Sequence, residues 1–178
     1  MALRAEPTTC PICSTYHPPG YPCSERSDSE AGVDRLLDIE KSIVDRRFEF
    51  ETLASLEPSL HWKVMEIFVK NGQDYKVVPN LELFSGIDDH VKLADFLIAR
   101  GCGLSVVENL KLFRGLDHNH IVNELIKVGD GCHVATHFNN FIDVDPVNIA
   151  NILVKTDNIK YLVKNLDLFE GIDQDEIA

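Results

Sequence analysis

The chain repeats itself. Four stretches read alike: NLELFSGID from Asn80, NLKLFRGLD from Asn109, HFNNFIDVD from His137 and NLDLFEGID from Asn165. They follow one another at offsets of 29, 28 and 28 residues, and a degenerate copy, EFETLASLE from Glu49, lies 31 residues before Asn80. A fixed period in this range signals a solenoid-type array, in which each unit buries its apolar face only against its neighbours.

Each unit carries its own stop and start signals. Gly115 suits a left-handed helix end, and Leu116 and Asp117 follow as an apolar residue and an N-cap. A first helix over roughly 118–128 then places Ile121, Val122, Leu125 and Ile126 on one face. Gly129, Asp130 and Gly131 form a tight turn, and a second helix from about 132 to 142 carries Val134, Phe138 and Phe141 at i, i+4 and i+7. The unit before repeats this with Leu93, Leu97 and Ile98, then Val106, Leu110 and Phe113. The unit after does so with Ile149, Ile152 and Leu153, then Leu162, Leu166 and Phe169.

The predicted fold class is therefore all-α, a right-handed α-solenoid of tandem helical hairpins over 51–178, about four repeats plus a partial one. Residues 33–50 read as an amphipathic capping helix with Leu36, Leu37, Ile43 and Val44 on its apolar side. The chain stops at Ile177-Ala178, one turn into a helix that the pattern continues, so the expectation is an array that runs on in a longer chain or, as the alternative, an open end that serves self-association.

Charge narrows the partners. Lys+Arg number 17 against 29 Asp+Glu, a formal net charge of −12, and residues 80–178 hold 16 of the acidic residues. Phosphate neutralisation needs clustered Lys and Arg, so the balance points to a protein or peptide partner of basic character rather than a sequence-independent nucleic-acid binder. Much of the acidity falls at helix-starting positions, Asp88, Asp117, Asp145 and Asp173, while Lys and Arg recur in the inter-helix turns, which keeps nucleic acid open as a partner on one edge. No apolar run has the length of a membrane span, so no membrane partner is expected. The opening MALRAEPTTC lacks a basic-then-apolar leader, and the expected location is intracellular. No glycine-rich phosphate loop, HExxH or GxSxG pattern occurs, so no enzyme is expected.

Three of the five cysteines stand together as Cys10-x2-Cys13-x3-His17-x5-Cys23. Two thiolates on a tight Cys-Pro-Ile-Cys turn reach one tetrahedral ion, and His17 and Cys23 close the shell. A stretch rich in Pro and Gly has little core of its own, so a metal is the natural source of its folding energy. Residues 1–24 are thus expected to hold about one structural zinc ion, with a linker over 25–32 leading to the helices. The segment resembles a zinc knuckle, its histidine standing one place earlier than in that family. Three unconnected cysteines or a disulfide remain the alternatives. Cys102 and Cys132 fall in inter-helix turns and read as small half-buried residues.

One polar position recurs within the apolar stripe: Asn80, Asn109 and Asn165, with His137 in the third copy. Its expected role is a structural ladder bonding to the backbone of neighbouring repeats, the alternative being a grip on the amides of an extended peptide. The exposed stripe of the second helix varies from copy to copy, from Pro79, Glu82 and Ser85 to Glu108, Lys111 and Arg114, then Thr136, Asn139 and Ile142, then Lys164, Asp167 and Glu170. Lys111, Asn139 and Asp167 are candidate partner contacts on it.

The segment IVNELIKVGDGCHVATHF is similar to the repeats of TAL-effector-like DNA-binding proteins at Ile121, Val122, Gly129, Val134 and Phe138. HEAT-like helical hairpins match the architecture equally. The first resemblance implies that bases would be read from the inter-helix turn, at Lys127 and Val128, with Ala99 and Arg100, Lys155 and Thr156, and Lys70 and Asn71 as equivalents. Three functions stay open: a non-catalytic scaffold for a protein or peptide, a nucleic-acid reader, and a structural assembly protein.

Overall fold

Asp89, Asp117 and Asp145 stand 28 residues apart, and each caps a helix. The Asp89 carboxylate accepts the Lys92 N–H, Asp117 that of Asn119, and Asp145 those of Val147 and Asn148. These bonds satisfy donors that a helix start leaves open. In the second hairpin the cap is Asp89 and not the expected Asp88, and Asp173 lies outside the described residues. The computed structural model describes residues 28–169 and 171–172, which form α- and 3-10-helices with no strand among the described residues. No helix among them is long and apolar enough to cross a membrane.

The helices are α1 (Asp28–Val44), α2 (Pro58–Lys70), α3 (Asp74–Val77), α4 (His90–Ala99), α5 (Gly103–Glu108), α6 (His118–Lys127), α7 (Gly131–Thr136), α8 (Pro146–Val154) and α9 (Ile159–Lys164). From α2 onward they pair as α2 with α3, α4 with α5, α6 with α7 and α8 with α9. The last three pairs touch one another through α4 on α6, α5 on α7 and α7 on α9.

Every second helix is shorter than expected. Instead of one helix over 132–142, α7 stops at Thr136 and a 3-10 turn, Phe138–Asn140, follows. The same break separates α5 from Leu110–Leu112 and α9 from Leu166–Leu168, and Asn80 interrupts the 3-10 segment Val78–Leu83. The asparagine side chain accounts for three of the four. Asn109 Nδ2 donates to the Ser105 carbonyl, and the Asn109 N–H moves to the Val106 carbonyl, one residue nearer. Asn165 does the same with Tyr161 and Leu162. A side chain that takes the i−4 carbonyl converts an α-turn into a 3-10 turn. The apolar set survives the bend, for Val106, Leu110 and Phe113 are all buried. Each such side chain stabilises the fold by roughly 1.5–3 kcal/mol.

The first helix also departs from expectation. It begins at Asp28, inside the expected linker, and ends at Val44 rather than at residue 50. Arg46 takes φ +58° and turns the chain back, so that Phe48 and Phe50 reach Phe68 with ring centroids 5.2 and 5.3 Å apart. A helix continued to residue 50 would forfeit that aromatic packing. On α1 the buried stripe is Ile39 and Ile43 beside a half-buried Leu36, an i, i+3, i+7 row, whereas the expected Leu37 and Val44 are 59% and 53% exposed.

Candidate recognition surface

A histidine at the repeat period, His61, His90 and His118, stands in the first helix of three successive hairpins. Its Nδ1 accepts a backbone N–H from just past the end of the same hairpin. Gly86 donates to His61 at 3.1 Å, Arg114 to His90 at 2.9 Å and Ile142 to His118 at 2.7 Å. Each ring also meets the hairpin's last aromatic edge-on, Phe84, Phe113 or Phe141, at 6.2, 6.2 and 6.1 Å. An accepting Nδ1 in a neutral ring puts the proton on Nε2. His61 Nε2–H donates to the Leu53 carbonyl at 3.2 Å, while the Nε2 atoms of His90 and His118 have no protein partner among the described residues.

A second column runs through the N-caps of the second helices, Gln73, Cys102, Asp130 and Asn158. Gln73 Nε2 donates to the Ile43 carbonyl at the end of α1 at 2.8 Å, and its Oε1 is buried without a partner among the described residues. Asp74 accepts from Ser105 Oγ at 2.6 Å and flanks the Cys102 thiol. Burial first, and this carboxylate second, push the Cys102 thiol up to about 11. Farther along, a Cβ on Gly131 would lie 2.6 Å from Asn158 Nδ2, so the column needs glycine there for close approach.

The expected asparagine ladder between repeats is not formed. Asn80, Asn109 and Asn165 donate instead to Lys76, Ser105 and Tyr161, each taking the carbonyl four residues back in its own hairpin. His137 shares the backbone geometry, φ −121°, without a side-chain hydrogen bond among the described residues. A bond between hairpins comes instead from Asn140, whose Nδ2 donates to the Val107 carbonyl at 3.1 Å.

The candidate partner contacts fall on two edges. Arg100, Lys127, Val128, Lys155 and Thr156 lie at or just past the ends of the first helices, while Lys111, Asn139 and Asp167 lie in the 3-10 turns at the opposite end of each hairpin. A ten-residue helix separates the two edges by about 15 Å. On the turn edge Lys127 pairs with Glu124 and Lys70 with Glu40, both at 3.0 Å, and the Arg100 guanidinium lies 5.1 Å from the Phe96 ring centroid. Val128 is 45% exposed, and Thr156 Oγ1 donates to the Leu153 carbonyl at 3.1 Å. Local partners thus hold much of the positive charge that a polyanion would need.

On the other edge a groove of about 560 Å³ opens between Val78–Leu83 and Leu110–Leu112. Its lining includes the buried Leu81, Phe84 and Ile87, with His90 beside them. Glu82 and Asp88 enter it from one segment, Lys111 and Arg114 from the end of the next hairpin. None of these four charges is ion-paired among the described residues.

Cys10, Cys13, His17 and Cys23 lie outside the described residues, and among the described residues no three His, Cys, Asp or Glu side chains gather as a metal-binding group. Comparison with protein-family models, curated proteins and solved structures gives no match. Neither the histidine column nor the N-cap column is among the residues expected from the sequence. The signal that finds them is the period itself, since both recur at 28–29 residues.

Proposed function

We propose that the chain is a non-catalytic scaffold of helical hairpins, stacked as a right-handed α-solenoid, that recognises a protein or peptide along its 3-10 edge. The groove between Val78–Leu83 and Leu110–Leu112 carries this reading. Its buried frame repeats from hairpin to hairpin, and its rim changes: Glu82 and Ser85 in one copy become Lys111 and Arg114 in the next. A constant frame with a changing rim lets specificity vary without loss of the fold. Two free cysteines, Cys102 and Cys132, support an intracellular setting. Selection of short random peptides on the full chain tests the reading, and enrichment that Lys111→Ala with Arg114→Ala removes is the expected result. A labelled duplex that binds at low salt and is released steeply as salt rises, with no peptide enriched, would install the nucleic-acid reading instead.

Cys10, Cys13, His17 and Cys23 are proposed to hold a structural zinc ion through thiolate and imidazole ligands. Metal analysis of protein purified without chelator is expected to find about one zinc per chain, lost in the Cys10→Ser, Cys13→Ser double variant. Metal-free wild-type protein sinks the site.

One observation favours assembly as a second reading. Val163 is 51% exposed, whereas its equivalents Val78, Val107 and Ala135 are fully buried. Self-association that rises with concentration and vanishes in Val163→Lys would support it, and sedimentation as a monomer throughout would remove it.

A further inference from the structure

We infer that the groove between Val78–Leu83 and Leu110–Leu112 takes a peptide segment bearing both an acidic and a basic side chain. The inference rests on the peptide-recognition reading and narrows its ligand class. The groove carries two opposed pairs of charges, Glu82 with Asp88 and Lys111 with Arg114. All four side chains are exposed, and none reaches an opposite charge within 4.0 Å among the described residues. Lys111 and Arg114 therefore stand three residues apart without a carboxylate partner among the described residues.

A ligand in the groove supplies both missing partners. Its carboxylate meets Lys111 and Arg114, and its cation meets Glu82 and Asp88. His90 adds a donor to the same lining. Its Nδ1 already accepts the Arg114 N–H, so Nε2 carries the proton and has no protein partner among the described residues. Leu112, 37% exposed at the rim above the buried Leu81 and Phe84, offers an apolar contact near the charges. A polyanion would meet Glu82 and Asp88 as repulsive neighbours, and a purely basic peptide would meet Lys111 and Arg114 in the same way. One hairpin further on, Asn139 and Ile142 stand where Lys111 and Arg114 do here, so the basic pair does not recur there.

Short random peptides displayed on phage and selected on the full chain test the inference. They are expected to converge on sequences that carry an acidic and a basic side chain. A fluorescent peptide of the consensus should bind the Lys111→Glu, Arg114→Glu variant about tenfold or more weakly, because like charges now face each other. Changing the acidic residue of that peptide to lysine should restore binding to the variant. A second variant, Glu82→Lys with Asp88→Lys, should lose the preference for the basic residue. The substituted side chains are exposed, and matching circular dichroism melts confirm that the variants fold. Peptides that converge without an acidic preference, or bind the charge-reversed variant unchanged, overturn this inference and leave the recognition reading standing. No convergence on any peptide overturns both.

Discussion

At the scale of single residues, the histidine column is the sharpest target. His90→Ala deletes the acceptor of the Arg114 N–H and the edge-on contact with Phe113. The lost bond and ring contact are worth about 0.5–1.5 kcal/mol, so urea unfolding should show a lowered midpoint. His61→Ala should cost more, since His61 is 1% exposed and bonds both Gly86 and Leu53. Equal midpoints for His90→Ala and the wild type would contradict the assignment. A second residue works in the other direction. Asp143 holds φ +56° at the place where Gly115 and Gly171 hold φ +68° and +82°. Left-handed backbone is costly for a residue with a Cβ, so Asp143→Gly should stabilise by up to about 1 kcal/mol in the same assay. The sequence shows this substitution within a repeated glycine position. It cannot show that the position keeps its left-handed turn.

At the scale of elements, the start of α5 links burial to pH. The Cys102 thiol ionises at 9.0 when free and at about 11 in the fold, through burial and then Asp74. Its folded value is the higher one, so between those pH values the unfolded chain releases a proton that the folded chain keeps. Stability therefore falls as pH rises from 9 to 11. Urea midpoints measured across that window should fall less in Cys102→Ala than in the wild type, and identical slopes would refute the linkage. Elements also mark where periodicity misleads. Val106, Leu110 and Phe113 satisfy a continuous helix, yet the structure buries the same three residues along an α-helix, a 3-10 turn and an extended residue. Spacing records which side chains are apolar. It does not record which carbonyl the Asn109 amide takes.

At the scale of the molecule, self-repulsion is the term left unbalanced. The chain carries −12, and ion pairs among the described residues are exposed, such as Lys70–Glu40 and Lys127–Glu124. Exposed pairs return little, so screening should help the compact state more than it harms them. The melting temperature should rise as sodium chloride is increased from low to moderate ionic strength. A fall would mean that attractive pairs dominate.

Repetition along the chain was enough to establish an all-helical protein of linked hairpins, most of its buried positions and the caps at Asp117 and Asp145, because capping and burial depend on residues a few places apart. Periodicity also contained the histidine column, though a period alone does not say what a recurring polar residue bonds to. Packing in three dimensions decided the rest. It ended α1 at Val44 so that Phe48 and Phe50 could reach Phe68. It brought Glu82 and Asp88 into the lining of one groove with Lys111 and Arg114. The aromatic contacts join residues 18 and 20 places apart and the groove gathers charges roughly thirty places apart, at distances that no local pattern encodes.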